Sequence, residues 1–165
     1  MGYRPEVLQQ RMNHLKEQFR SSGVKLTHQR MEIFREVAMS EEHPDAEKIY
    51  NSVRKRLPSI SLDTVYRTLW SLLDLGLITT LGLPRKTVRF DANMKLHHHF
   101  VCTRCGMTRD FYSKELDRLK IPGSEKILET VQRTQVEVSG ICMKCSGKIL
   151  SKNPAKKIPI TNRTG

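Results

Sequence analysis

Apolar residues recur at helical spacing in four consecutive segments of the first half of the chain. Small polar residues, proline or glycine separate these segments, as is typical where helices begin and end. The predicted helices are residues 6–21, ended by Ser22 and Gly23; a second capped by Thr27; a third opened by His43 and Pro44 and ended by Pro58; and a fourth capped by Ser61 and ended by Gly76. The pattern therefore predicts a helical first half.

After Gly76 the apolar positions alternate, which is the period of a strand. Residues 77–81 and 87–90 are predicted strands of a hairpin whose turn carries Arg85 and Lys86. Helices followed by such a hairpin are typical of a winged helix-turn-helix, in which the last helix enters the major groove and the wing lies along the phosphates. A generic helical domain would show the same helical spacing.

The fourth helix favours the DNA-binding interpretation through the side chains on its expected exposed face. These side chains are small or carry hydrogen-bond donors, as contacts to base edges and phosphates require. They are Thr64, Arg67, Thr68 and Ser71, and Tyr66 adds a ring that can meet a thymine methyl group.

The second half of the chain is dominated by short predicted strands at residues 98–103, 107–112 and 134–141, with a short helix at 124–130. We therefore expect an α+β protein with a DNA-binding domain at residues 1–91 and a second domain at 92–150. The last residues, 151–165, are expected to form a solvated basic tail.

The charge balance adds a partner to this picture. The 165 residues include 29 Lys and Arg against 17 Asp and Glu, a net charge of +12, which favours a polyanionic partner. No apolar run is long enough to cross a bilayer and none follows the N-terminus as in a signal peptide, so we expect a cytoplasmic protein without a membrane partner.

Four cysteines form two C-x₂-C pairs, Cys102 with Cys105 and Cys142 with Cys145, separated by 36 residues. In a reducing compartment this spacing favours a closed tetrahedral Zn²⁺ site over disulfides. A thioredoxin-like redox motif is the alternative, but it requires a cysteine pair at a helix start beside a βαβ unit, whereas Cys102 lies at the end of a predicted strand.

A second group of candidate ligands precedes the first cysteine pair. In a strand, His97 and His99 share one face while His98 points away. With Asp91 and Asp110 they would make a mixed nitrogen and oxygen site suited to Fe²⁺, Mn²⁺ or Zn²⁺. A solvated histidine run with surface carboxylates is the alternative interpretation.

Several motifs together resemble the ferric uptake regulator family of metal-dependent bacterial repressors, over about residues 10–150. The matching segments are 26–30 (LTHQR), 42–46 (EHPDA), 64–69 (TVYRTL), 76–77 (GL), 89–91 (RFD), 97–106 (HHHFVCTRCG) and 140–145 (GICMKC). The resemblance implies an N-terminal winged helix, a C-terminal α/β dimerisation domain, a structural Cys₄ zinc and a regulatory iron or manganese ion. It also implies a homodimer on an AT-rich inverted repeat of double-stranded DNA.

Residue by residue, the resemblance places the regulatory ligands on His43, Asp91, His97, His99 and Asp110. The aspartate at position 110 resembles the family's peroxide sensors, which have Asp at this position. These sensors oxidise imidazole ligands when iron is bound, and the matching oxidation-prone residues here are His43 and His97. A further site of many iron sensors falls on Leu96, His98 and Thr134, which are a poor ligand set.

Two departures from the peroxide-sensor pattern leave an iron-responsive repressor as the alternative. Arg67 stands where peroxide sensors often have Asn, and Pro122 with Gly123 interrupts a helix that is usually continuous. A zinc-uptake regulator is a more distant third choice within the family.

Two other function classes stay open as alternatives. The His/Asp group could be a catalytic iron or zinc centre, although no second acid–base pair accompanies it. A zinc-stapled interaction module would leave the winged helix unexplained. We expect a regulator and not an enzyme.

Overall fold

The computed structural model describes residues 5–81, 87–119 and 134–152. The chain divides into two compact units, Met1–Lys95 and Leu96–Gly165. No helix in the described ranges is both long enough and apolar enough to cross a membrane.

The first unit contains the four helices that the hydrophobic pattern predicts, followed by two short strands. They are α1 (Pro5–Ser22), α2 (His28–Met39), α3 (Ala46–Val53), α4 (Leu62–Asp74), β1 (Thr79–Leu81) and β2 (Arg89–Asp91). The predicted caps of α2 and α4 are confirmed, because Thr27 accepts a hydrogen bond from the Arg30 amide and Ser61 accepts one from the Thr64 amide.

One continuous core holds the first unit together. Apolar side chains from every helix are fully or almost fully buried in it, including Leu15 and Phe19 of α1, Ile33 and Phe34 of α2, Ile49 of α3, and Val65, Leu69 and Leu72 of α4. Their spacing of three and four residues places one face of each helix inward.

The start of α3 differs from the prediction. His43 and Pro44 precede the helix, and the Asp45 carboxylate caps it by accepting from the Lys48 amide at 2.8 Å. The Pro44 carbonyl accepts from the Phe90 amide at 3.0 Å, so this segment pairs with β2 and is unavailable to a helix. The predicted end at Pro58 is also wrong, because α3 ends at Val53 and a turn follows it.

Strands β1 and β2 form the predicted antiparallel hairpin, with Thr80 paired to Phe90 and Thr79 to Asp91. Both strands are shorter than predicted. The turn with Arg85 and Lys86 lies outside the described residues, so their predicted phosphate contacts have no structural description.

The second unit contains a three-stranded sheet with the order β4-β3-β5, formed by β3 (His98–Cys102), β4 (Thr108–Phe111) and β5 (Glu137–Gly140). β3 pairs antiparallel with β4 and parallel with β5. These are the three predicted strands in shortened form, and with the helices they confirm the α+β class.

Two helices of the second unit were not predicted: α5 (Lys114–Asp117) and α6 (Met143–Lys152). α6 begins at the cysteine site, where the Ser146 amide donates to the Cys142 carbonyl at 2.8 Å. The helix ends at Lys152, so its last two residues lie in the segment that was expected to be a solvated tail. The predicted helix at 124–130 and the Pro122-Gly123 interruption lie outside the described residues.

Candidate metal centres and nucleic-acid interface

The sheet register of the second unit gathers the four cysteines. Cys102 ends β3 and pairs with Gly140 at the end of β5, so the chain leaving β5 reaches Cys142 beside it. Cys105 returns through a turn in which the Gly106 amide donates to the Cys102 carbonyl at 2.9 Å and Gly106 adopts a φ of 69°. Such a left-handed φ favours glycine.

The sulfur positions fit a tetrahedral metal ion. All four Sγ atoms lie within 4.8 Å of one another, and Cys105 Sγ lies 3.8 Å from Cys142 Sγ. Zinc–sulfur bonds in tetrahedral geometry require an edge of about 3.8 Å between sulfurs. The predicted cluster of Cys102, Cys105, Cys142 and Cys145 is therefore assembled as a zinc site.

The backbone around this site favours thiolate at one position. Amide groups, those of Cys105 and Cys142 foremost, lower the pKa of Cys102 to about 6, and the Cys142 amide donates to Cys102 Sγ at 3.3 Å. The neighbouring thiols of Cys105 and Cys142 raise the pKa of Cys145 to about 12. A divalent cation would favour the thiolate form at every position.

The second unit also gathers three of the predicted regulatory ligands. His97 Nε2 lies 3.0 Å from His99 Nε2, and both rings are buried. Asp110 pairs with His99 across β3 and β4, and its carboxylate oxygens lie 3.5 Å from His99 Nε2 and 3.7 Å from His97 Nε2. These donors converge at the start of β3, beside its neighbour β4.

His98 points to the other side of β3, as the strand period requires. Its Nε2 lies 3.1 Å from Asp117 Oδ1 on α5, and its Nδ1 accepts from the Val136 amide at 3.3 Å. Because an amide can only donate, the His98 proton is on Nε2 and both ring nitrogens are used in hydrogen bonds. His98 thus links β3 to α5 and to the segment before β5 through its two hydrogen bonds.

The first unit contributes the remaining pair of predicted ligands. His43 Nδ1 lies 3.6 Å from Asp91 Oδ1, and both side chains are buried. His43 has a φ of 50°, a left-handed conformation that costs a non-glycine residue about 1–3 kcal/mol. Strain of this kind clusters at functional sites, which singles out His43 within its unit.

The exposed face of α4 differs from the expected one at a single residue. Tyr66 and Arg67 are exposed and Thr64 and Ser71 are partly exposed, but Thr68 is only 4% exposed. Thr68 follows Val65 by three residues and so lies on the inner face, which makes its predicted place on the exposed face wrong. Arg67 Nε contacts Asp63 Oδ2 at 2.9 Å on the outer face.

Trp70 was missed by the sequence interpretation. It lies one turn after Tyr66 on the outer face of α4 and is 58% exposed. Together with Val88 and Phe90, these aromatic residues line a groove of about 300 Å³ in the first unit. The spacing of Tyr66 and Trp70 is a helical four-residue step, which is the signal that could have placed both on one face.

The comparisons with known proteins agree on one family. Residues 21–139 match the model of the "Ferric uptake regulator family". A peroxide-responsive repressor from Staphylococcus epidermidis is 32% identical over 126 residues, which cover 76% of this chain and 84% of that protein.

Two solved structures are similar along most of their length. The Campylobacter jejuni peroxide stress regulator has a TM-score of 0.62 at 28% identity, covering 81% of this chain and 98% of that one. A zinc-bound manganese uptake regulator has a TM-score of 0.62 at 28% identity, covering 78% and 98%.

These findings confirm the predicted cofactor classes: a structural zinc at the four cysteines and a regulatory metal for the His and Asp donors. The same family consists of transcriptional regulators, which supports the expectation of a regulator. With a family model that matches most of the chain and a relative above 30% identity, the chain belongs to the ferric uptake regulator family.

Proposed function

We propose that this protein is a metal-dependent repressor that senses hydrogen peroxide through oxidation of its histidine ligands. The observation that carries the proposal is the convergence of His97, His99 and Asp110, in a chain 32% identical to a peroxide-responsive repressor. The carboxylate in this group is aspartate, as in the family's peroxide sensors.

The proposed regulatory ligands are His43, Asp91, His97, His99 and Asp110, and this assignment rests on the family resemblance. Three imidazoles and two carboxylates suit Fe²⁺ or Mn²⁺. Because the ligands belong to both units of the chain, metal binding would favour one arrangement of the units by its higher affinity for that arrangement. Metal and DNA binding would thereby be coupled.

Peroxide sensing would proceed at His43 or His97. Ferrous iron, when bound, supplies the reducing chemistry that activates peroxide. One peroxide oxygen is added to the imidazole ring and the other leaves as water. The oxidised ring is a poorer ligand, so metal is lost and DNA is released. Each molecule reacts once, and the protein is therefore a sensor and not an enzyme.

The proposed DNA interface is the outer face of α4. Tyr66 would meet a thymine methyl group, Arg67 would contact a base edge or phosphate, and Thr64 would add a hydroxyl contact. Arg85 and Lys86 of the wing would contact phosphates. A homodimer in the cytoplasm would bind an AT-rich inverted repeat, since two-fold protein symmetry matches two half-sites.

An iron-responsive repressor without peroxide sensing is the second candidate. Arg67 directly after Tyr66 favours it, because this pair resembles the family's iron regulators.

One experiment separates the two candidates. Fe²⁺-loaded and Mn²⁺-loaded protein are treated with dilute peroxide, digested and analysed by mass spectrometry, while DNA retention is followed in parallel. The peroxide sensor gains the mass of one oxygen on the peptide of His43 or His97, and loses DNA, only with Fe²⁺. Iron-dependent DNA binding without histidine oxidation indicates the iron-responsive repressor. Turnover of a substrate would indicate an enzyme instead.

A further inference from the structure

Gln135 contacts the ring of His99 on the side away from the converging donors. Its amide Nε2 lies 2.9 Å from His99 Nδ1, whereas His99 Nε2 is the atom near His97 and Asp110. The two nitrogens of one buried ring therefore have separate partners. An imidazole can bind a metal only through the nitrogen that carries no proton.

The backbone holds Gln135 against this ring. The next residue, Val136, accepts from the His99 amide at 3.0 Å and donates from its own amide to His98 Nδ1. Residues 135 and 136 thus contact both His98 and His99, and the Gln135 side chain reaches His99 from a fixed backbone.

We infer that Gln135 is a positioning residue that lets His99 exchange its ring proton between the two nitrogens without losing a hydrogen bond. This inference rests on the proposed function, because it concerns a ligand of the proposed regulatory metal. An amide carries a donor and an acceptor at its two ends, and rotation by half a turn interchanges them.

In one orientation the Gln135 NH₂ group donates to Nδ1, and the His99 proton is on Nε2. This proton can then be donated to His97 Nε2, which lies 3.0 Å away. In the other orientation the Gln135 carbonyl oxygen accepts from a proton on Nδ1, and the Nε2 lone pair is available to a metal. The proton changes nitrogen within the ring and no net charge changes.

Exposure makes the rotation inexpensive. Gln135 is exposed while His99 is 2% exposed, so water solvates whichever end of the amide faces away from the ring. A glutamate at this position could only accept and would fix the proton on Nδ1, the form that binds metal. A leucine could do neither and would leave Nδ1 of a buried ring without this partner.

The test uses the full-length, zinc-loaded chain and compares Q135E, Q135L and the parent. Mn²⁺ is the probe, since it is stable in air, and its dissociation constant is measured by titration. Loss of a hydrogen-bond partner behind a metal-binding histidine typically weakens binding about 10–100-fold. We expect Q135L to weaken Mn²⁺ binding by at least about 10-fold and Q135E to bind as tightly as the parent or more tightly.

A control separates hydrogen bonding from charge. Glu137 is exposed and is the strand partner of His99 on β5, so E137Q removes a nearby charge and leaves Gln135 in place. Mn²⁺ affinity of E137Q should remain that of the parent. An equal and opposite change in E137Q and Q135E would show that charge alone acts and would overturn the inference.

Ring ¹⁵N NMR of His99, recorded without Mn²⁺, provides a readout that does not need the metal. Q135E should show the proton on Nδ1, and the parent should show a larger share on Nε2. Identical ring signals in the parent and both variants would overturn the inference, as would parent-like Mn²⁺ affinity in Q135L. If the parent binds no Mn²⁺ beyond its zinc, the proposed function fails as well. If the parent binds Mn²⁺ and Q135L binds it with the same affinity, only the role of Gln135 is refuted.

Discussion

Arg56 donates from its Nε to Glu32 Oε2 at 2.8 Å, which ties a buried carboxylate of α2 to the turn that follows α3. Its guanidinium also contacts Glu36 Oε2 at 2.9 Å. The hydrogen bonds that Arg56 donates to Glu36 and Glu32 raise the pKa of Arg56, so it stays protonated. This pairing explains how a glutamate that is 6% exposed is accommodated beside the core.

Arg56→Met should lower the free energy of unfolding by about 1–3 kcal/mol, because it removes the hydrogen-bonded cation from the buried Glu32 carboxylate and leaves only Arg35, whose Nε is 3.5 Å from Glu32 Oε1. Urea denaturation measures the change. Arg54→Met is the matched control, since Arg54 lies over the ring of Tyr50 on the same turn and contributes at most about 1 kcal/mol. Equal destabilisation by both variants would contradict the role assigned to Glu32.

Zinc binding should release one proton fewer above pH 6 than below it. The pKa of Cys102 is lowered to about 6, so this thiol is already a thiolate above that pH and must lose its proton to zinc only below it. Proton release during zinc titration of the zinc-depleted protein measures the step, and Cys102→Ser should abolish it. A parent protein without a step would show that the amides around Cys102 are not in place before zinc binds.

Gly140→Ala should destabilise the second unit by about 1–3 kcal/mol, because an added Cβ would lie 3.0 Å from Phe100 Cε2 and the ring would have to move. Thermal unfolding measures the effect. Gly147→Ala in α6 is the control: a Cβ there meets nothing within 4 Å, and alanine favours a helix by about 1 kcal/mol over glycine. The two substitutions should therefore have opposite signs.

Arg67→Ala should weaken binding to the operator by about 1–3 kcal/mol with relaxed specificity at one position if Arg67 reads a base. Removal of Arg85 or Lys86 should instead weaken binding to all sequences alike and reduce the salt dependence. Fluorescence of Trp70, the single tryptophan of the chain, reports binding directly because it lies on the same outer face of α4. Unchanged Trp70 emission at saturating DNA would place the interface elsewhere.

Asp110→Glu should keep binding of iron and DNA but resist peroxide. The substitution retains charge and ligand type and changes only reach, so it tests whether the short carboxylate keeps bound iron accessible to peroxide. Mass spectrometry of the Fe²⁺-loaded variant after peroxide gives the answer. Oxidation at the parent's rate would show that reach at this position does not set reactivity.

Sequence pattern predicted the elements better than their ends. The apolar stripes of α1, α2 and α4 are dictated by burial in one core, and the strand alternation of β3 places His97 and His99 on one side. The start of α3 could not be predicted, because the competing partner of Pro44 is the Phe90 amide, distant in sequence. Thr68 was predicted to be exposed because its side chain is polar, but its position in the helical repeat places it on the buried face of α4.

The candidate site was predictable in its ligand types but not in what surrounds them. Cysteine spacing alone indicated the zinc site. The contacts of Gln135 and Asp117 with the adjacent histidines depend on strand register and on a short helix, α5, whose four residues carry no clear periodic signal.

The parallel pairing of β3 with β5 places the C-terminal ends of both strands side by side, and the two cysteine pairs lie at these ends. Zinc and the sheet together fix both ends of the 36-residue connection between the pairs at one place. The entropy of closing such a loop grows only by about 0.6 kcal/mol for each doubling of its length. A longer connection would therefore cost the zinc cluster little, because the cluster depends on where the two ends of the connection are held, at Cys102 and Gly140.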